Sequence, residues 1–316
     1  MRKAILALFG LLGVLMVGAQ ESQTAYDFLR LPVSAHVAAM GGDNVTLFED
    51  DASLIFHNPA LIQNVTDRTL NFNMMTYMQG TVTGSASFVR AWGSRGTWGL
   101  SGRYMDYGQM KEMNEKGQQT GTFGARDVCV GGTVSYGLTE RISGGITAKM
   151  AASYMGNYNS LAALVDLGLN FYDAEREWSI SAVARNLGGQ LSTYDDEFER
   201  MPLDLQLGVS KRLIGSPLRL SATLVRLNDW EYGIGKHLVI GAELLLGSQF
   251  YVAAGYNAMR AAEMKINSGD DEDGSNHGAG LSIGGGLQLE RLKLHVAYAK
   301  YHVSASSLLI NISYIL

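Results

Sequence analysis

The chain has 316 residues, 38 of them glycine and only 4 proline, with 17 % charged residues and a net charge of −5. That balance excludes electrostatic recognition of nucleic acid, and the single cysteine, Cys129, excludes an internal disulfide and a cysteine-only metal cluster. A mean hydropathy near zero fits a soluble protein, but equally a membrane wall in which each apolar residue is followed by a polar or small one.

Arg2 and Lys3 precede an apolar run from Ala4 to Val17, and Val17 and Ala19 occupy the two positions that a signal peptidase reads. This predicts a secretory signal peptide over 1–19 and a mature chain from Gln20, since the run is shorter than the about 20 residues of a membrane-spanning helix. No later apolar stretch is long enough for a helical span.

Residues 20–67 mix short apolar runs with the turn formers Gly41, Gly42, Asn58 and Pro59 and the acidic Glu49, Asp50 and Asp51. The segment lacks alternation and is read as an N-terminal plug or hatch. Asp50 and Asp51 could ligate a metal, but hydrogen bonding within the plug is the simpler role. No metal or cofactor is expected.

From 68 to 316 the pattern changes to period two. Leu203, Leu205, Leu207 and Val209 alternate with Asp204, Gln206, Gly208 and Ser210, and Leu292, Leu294, Val296 and Tyr298 with Lys293, His295, Ala297 and Ala299. Such spacing sets one face toward an apolar environment and the other toward a polar one. Fourteen strands are predicted: 68–78, 80–92, 96–107, 126–138, 141–155, 159–172, 176–187, 202–213, 217–226, 236–247, 249–257, 278–290, 291–302 and 306–316. Many reach the roughly ten residues that a tilted strand needs to cross a bilayer, where strands of a soluble sandwich average about five or six. The fold class is therefore all-β, a transmembrane antiparallel barrel over 68–316. About eight strands already make a barrel that wall side chains can fill, so the wider lumen calls for the plug.

The connections agree. Every even-numbered one is tight, while 108–125, 188–201, 227–235 and 258–277 are odd-numbered and long. Short periplasmic turns and longer external loops are the rule for such barrels, and the even count returns both termini to the periplasm. The last strand, with Ile310, Ile312, Tyr314 and Leu316 on one face, suits closure at the carboxyl end.

Eight charged residues fall on the polar phase: Arg103, Lys149, Asp166, Arg185, Asp204, Arg219, Glu243 and Lys293. They could line a conduit for a charged headgroup or solute. Because both signs occur and buried charges need partners, an internal network that seats the plug is the expected role. Catalytic motifs do not assemble. Gly280-Leu281-Ser282-Ile283-Gly284 has the nucleophile-elbow spacing but lies within an alternating strand instead of a sharp strand-to-helix turn. The histidines lack metalloprotease spacing, no phosphate-binding loop occurs, and Asp270–Asp273 lacks the ligand spacing of an EF-hand. No enzymatic activity is expected.

The run Phe28-Leu29, Leu31-Pro32-Val33-Ser34-Ala35, then Ala38-Ala39-Met40-Gly41-Gly42, Asp50-Asp51-Ala52 and Asn58-Pro59-Ala60-Leu61 resembles the start of the PorQ family of the type IX secretion system. That family sits within the wider PorV and FadL-like outer-membrane barrels, here of Bacteroidetes. The Gly-Gly, Asp-Asp and Asn-Pro-Ala spacing is shared across the superfamily; the Leu-Pro-Val-Ser-Ala opening and compact length point to PorQ. The resemblance covers less than a fifth of the chain. It implies an outer-membrane component of the attachment complex, holding a PorZ-like surface protein alongside PorU and PorV, where cargo is joined to anionic lipopolysaccharide. The candidate partner surfaces are the loop 108–125, with Asn114, and the loop 258–277, with Arg260, Lys265, Asp270, Asp271 and Asp273. The alternative is a FadL-like transporter of hydrophobic small molecules, gated by the plug. A transporter requires a continuous apolar cavity; an anchor has an occluded lumen.

Overall fold

A computed structural model describes residues 26–78, 80–114, 116–195, 197–229, 231–265 and 278–316. The expected signal peptide, the expected start at Gln20 and the acidic residues Asp270, Asp271 and Asp273 lie outside the described residues.

Fourteen strands form: β1 (Thr69–Thr76), β2 (Val82–Trp92), β3 (Gly96–Met113), β4 (Gln119–Gly137), β5 (Ile142–Met155), β6 (Tyr158–Asp173), β7 (Trp178–Ser192), β8 (Asp204–Arg212), β9 (Leu218–Leu224), β10 (Leu238–Leu246), β11 (Phe250–Asn257), β12 (Leu281–Gln288), β13 (Leu292–His302) and β14 (Ala305–Ile315). Each pairs antiparallel with its sequence neighbours, and β1 closes the ring on β14 with Thr69 opposite Ile315. Closure leaves no edge with unpaired amides, which is what allows strands to stand in lipid. No described helix is long and apolar enough to cross a membrane.

The predicted phase is the observed one. Leu207, Leu244, Ile240, Val296, Ile310 and Ile312 are exposed on the outside, while Gln206, Glu243, Lys293, His295, Asn311 and Ser313 are buried inside. Aromatic residues collect toward both rims: Trp92, Tyr136 and Phe250 at the tight-turn end, Tyr104, Tyr154 and Tyr298 toward the other. Amphipathic rings settle at the two headgroup levels of a bilayer, so the outer surface carries the banding of a membrane barrel.

One connection differs from expectation. Most of 108–125 is strand: β3 runs to Met113 and β4 starts at Gln119, while β2 pairs only as far as Asp106 and β5 only from Ala125. The hairpin tip therefore stands beyond the wall, bonded to itself alone. β7 likewise continues to Ser192, past the expected end at 187. The long connections 193–203, 225–237 and 258–280 all leave the end of the barrel that carries this hairpin.

Ahead of β1, the N-terminal segment forms η1 (Asp27–Arg30), α1 (Ala35–Ala39), η2 (Ala52–Phe56) and η3 (Pro59–Asn64). Side-chain caps set where the last three begin. Ser34, Asp51 and Asn58 accept from the amides of Val37, Ser53 and Ala60 at 3.3, 2.9 and 3.0 Å, and Pro59 opens the first turn of η3. The segment runs through the lumen. Tyr26 donates to Ser160 Oγ (2.8 Å), close to the β5–β6 turn at the long-connection mouth, whereas Val65 lies at the tight-turn mouth just before β1. The two ends of the barrel, Thr69 and Ile315, pair at one mouth, while Tyr26, the first described residue, stands at the opposite mouth because the segment runs up the lumen. Val37, Ala38, Met40, Leu47, Leu54 and Leu61 are 0 % exposed, and their cluster includes the inward Tyr251, Ala253, Ala297 and Leu309 of the wall.

Candidate functional site

The wall is shaped to admit the segment. A Cβ on Gly168 of β6 would lie 2.1 Å from Asn58 Oδ1, and one on Gly255 of β11 would lie 2.3 Å from Gly41 N. Neither position has room for a side chain. Gly41 itself has a φ of 105°, a backbone state that other residues rarely adopt. Its amide donates to Ser282 Oγ (3.0 Å), and the same hydroxyl donates to Ala39 O (3.0 Å). Ser282 of the Gly-x-Ser-x-Gly run thus lies within β12 and seats the turn after α1.

On the β9–β13 side, charges of the segment meet charges of the wall. Arg219 contacts Glu49 of the segment (2.5 Å) and Glu243 of β10 (2.9 Å), and Glu243 also holds His36 Nε2 at 2.9 Å. His36 stacks on Tyr251 with ring centroids 4.0 Å apart, and Tyr251 bonds His295 Nδ1 at 2.8 Å. Burial disfavours the imidazolium of His36, but the carboxylates of Glu243 and Glu49 raise its pKa above the ordinary histidine value all the same. With His36 protonated, two cations face two carboxylates. Burial likewise opposes the charged form of Glu49, yet Arg219 brings it down to about 2. Lys293 pairs with Asp50 at 2.5 Å, and Asp50 also accepts from the Thr66 amide (2.7 Å).

On the β3–β7 side the segment offers the inward arginines backbone carbonyls and the ring of Phe28, over which Arg103 lies at 5.4 Å. Arg103 donates to Leu31 O (3.0 Å) and Arg185 to Leu29 O (2.9 Å). Lys149 pairs with Asp166 at 2.7 Å and donates to Asn186 Oδ1 at 2.6 Å. His57 accepts from the amides of Val33 and Ser34 through Nε2; burial first, then the positive charge of Arg185 and Arg103, hold its pKa well below the ordinary value. Asp204 turns to local partners, the Arg226 amide (2.8 Å) and the Gln206 amide group (2.5 Å). All eight charges read from the polar phase thus lie inside the barrel.

Arg260 is a correction. It was expected on an external loop, but α2 (Ala258–Glu263) folds the chain back over the mouth, and Arg260 is 6 % exposed. Its guanidinium donates to Ala279 O (2.6 Å), Gly280 O (2.9 Å) and Gly41 O (3.3 Å) and lies over the Tyr301 ring. Asn257 caps α2 and reaches Gly41 O (3.2 Å). Lys265 and Asn114 are exposed, and Asn114 Oδ1 closes the hairpin turn by accepting from the Lys116 and Gln118 amides. Asp51 caps η2, and no group of three or more potential metal ligands occurs among the described residues. His36, Tyr251, Asn257 and Tyr301 escaped the sequence reading, since nothing in their local spacing announces partners that lie on other strands or in the segment.

No family model and no curated protein matches the sequence. Among solved structures, the fold is similar to a FadL homologue of Pseudomonas aeruginosa, with a TM-score of 0.55, 11 % identity, and coverage of 90 % of this chain and 99 % of that one. It is similar to the toluene transporter TodX of Pseudomonas putida (0.54, 12 %, 90 % and 96 %) and to the monoaromatic hydrocarbon channel CymD (0.56, 13 %, 90 % and 97 %). The likeness is one of fold: this is a closed 14-stranded antiparallel barrel, an architecture it shares with these structures. With its exposed apolar band, that architecture points to an outer-membrane protein.

Proposed function

We propose that the protein is an occluded outer-membrane barrel that anchors a surface partner and performs no chemistry, the N-terminal segment being its plug. The observation that carries this reading is the filled lumen. The segment's apolar core has no solvent exposure, His36, Glu49 and Asp50 are tied to the wall, and the inner cavity beside Arg103 measures about 30 Å³ with charged residues in its lining. A hydrocarbon passage needs a continuous apolar bore, which this arrangement does not offer. The resemblance of 28–61 to the PorQ family supplies the partner: a PorZ-like surface protein, with PorU and PorV in the same type IX attachment complex, where cargo meets anionic lipopolysaccharide. The β3–β4 hairpin tip and the surface around Lys265 are the presenting elements, since external connections vary while the wall stays fixed.

Replacing 109–123 by a two-residue turn tests this. The variant is expected to remain a heat-modifiable barrel in the outer membrane, while the partner is released from native membranes on co-purification. A second reading, passage of a hydrophobic small molecule with the plug as gate, draws on the channels that share the fold. If the variant and a companion shortened within 264–277 both keep the partner, the external interface is wrong. Loss of uptake of an apolar solute with secretion untouched favours the transporter.

A further inference from the structure

The inner cavity of the β3–β7 side carries an excess of positive charge. Arg103, Lys149 and Arg185 line it with one carboxylate, Asp166, and that carboxylate is engaged by Lys149 and by the Asn186 amide (2.7 Å). Arg103 and Arg185 are 6 % and 5 % exposed. Neither has an acidic partner within 4.0 Å among the described residues. Arg103 Nε and Nη2 and Arg185 Nε are buried donors without an acceptor among the described residues. The acids that could have served are committed elsewhere: Asp204, opposite Arg185 in the β7–β8 ladder, to Gln206 and the Arg226 amide, and Asp127 to Tyr107 and Ser153. A buried charge without a counter-charge, and buried donors without acceptors, are each costly.

We infer that the cavity between Arg103, Lys149 and Arg185 is a binding site for a small monovalent inorganic anion of halide size. Size sets the class. A cavity of about 30 Å³ holds on the order of one or two water-sized groups, so a sulfate, a lipid headgroup or the carboxylate end of a long chain does not fit. Charge sets the sign: three cations against one paired carboxylate leave two positive charges, and one anion halves that excess. The remaining walls, Cys129 and Ile55 among them, bring no acidic group. The anion has a structural consequence. Arg103 and Arg185 hold the carbonyls of Leu31 and Leu29, so an occupant that fixes both guanidiniums also fixes the start of the plug.

The test uses the whole protein purified in detergent. Crystals grown in sodium bromide are expected to show an anomalous peak in the cavity, in contact with both guanidiniums; a cavity holding only water in that map overturns the proposal. In solution, the unfolding midpoint is compared in sodium chloride and in sodium gluconate at equal ionic strength, gluconate being too large to enter. The midpoint is expected to rise about 2–4 °C per tenfold chloride once the site is half filled; identical midpoints in the two salts overturn it. Arg185→Met should abolish the chloride dependence, and a dependence that persists in that variant places the ion elsewhere. If the variant does not assemble, the bromide map of the unmodified protein decides.

Discussion

The two sides of the lumen hold the same segment by different means. Toward β9–β13, Glu49, Asp50 and His36 bring side-chain charges that complement Arg219, Glu243 and Lys293. Toward β3–β7, the segment answers two arginines with the carbonyls of Leu29 and Leu31 and the face of Phe28. The lesson is that inward charge in a barrel wall has no single meaning. One cluster is closed by the segment's own acids and is specific for this segment; the other grips two peptide carbonyls and one aromatic face.

The sharpest way to break the contrast is Arg219→Met. It leaves Glu49 without its cation and Glu243 with His36 alone, and loss of one partner of a buried pair costs about 3–5 kcal/mol. The variant is expected to unfold at clearly lower urea, with the segment open to protease in the assembled barrel. Gly168→Val comes next, acting through neither charge cluster: the side chain would occupy the place of Asn58 Oδ1, and such overpacking costs about 1–3 kcal/mol. Proteolysis near η3 with an intact wall is the expected readout. Arg185→Met should be milder, about 0.5–1.5 kcal/mol for one hydrogen bond to a carbonyl, and a loss as large as that of Arg219→Met would erase the distinction. The smallest effect is a pH dependence. His36 has a raised folded pKa, so its contribution is fully present below its unfolded value near 6.5 and is lost as pH rises through the folded value. Thermal midpoints should fall with rising alkalinity in the unmodified protein, and more steeply than in His36→Gln.

Much of the wall was legible because lipid imposes its own period on the residues that face it. Leu207, Leu244 and Ile312 advertise a strand even when their neighbours are glycine or serine. The β3–β4 tip was missed for the same reason in reverse: from Gly108 to Gly124 both faces meet water, so no alternation is required and the run reads as a loop. The inward charges were legible as a set but not as pairs. Whether Arg219 meets Glu49 depends on the path of a segment with no period at all, fixed by caps at Ser34, Asp51 and Asn58 and by wall glycines that only a structure connects to it. Arg260 failed because a single helical turn reverses the chain after Asn257, and that turn aims a loop residue back into the mouth.

The course of the segment also bears on how the molecule can be made. Its last turn ends at Asn64, a few residues before β1, and β1 forms the closing seam with β14. Were the ring to shut first, the stretch 26–65 would have to be fed through a finished tube whose bore it alone fills, pulled by the strand at one end. Wrapping avoids that. If the segment folds against the sheet while the sheet is still open, the seam between Thr69–Met75 and Leu309–Ile315 can close over it without any threading. Folding then has an order: the segment settles at the centre first, and the β1–β14 seam locks it in.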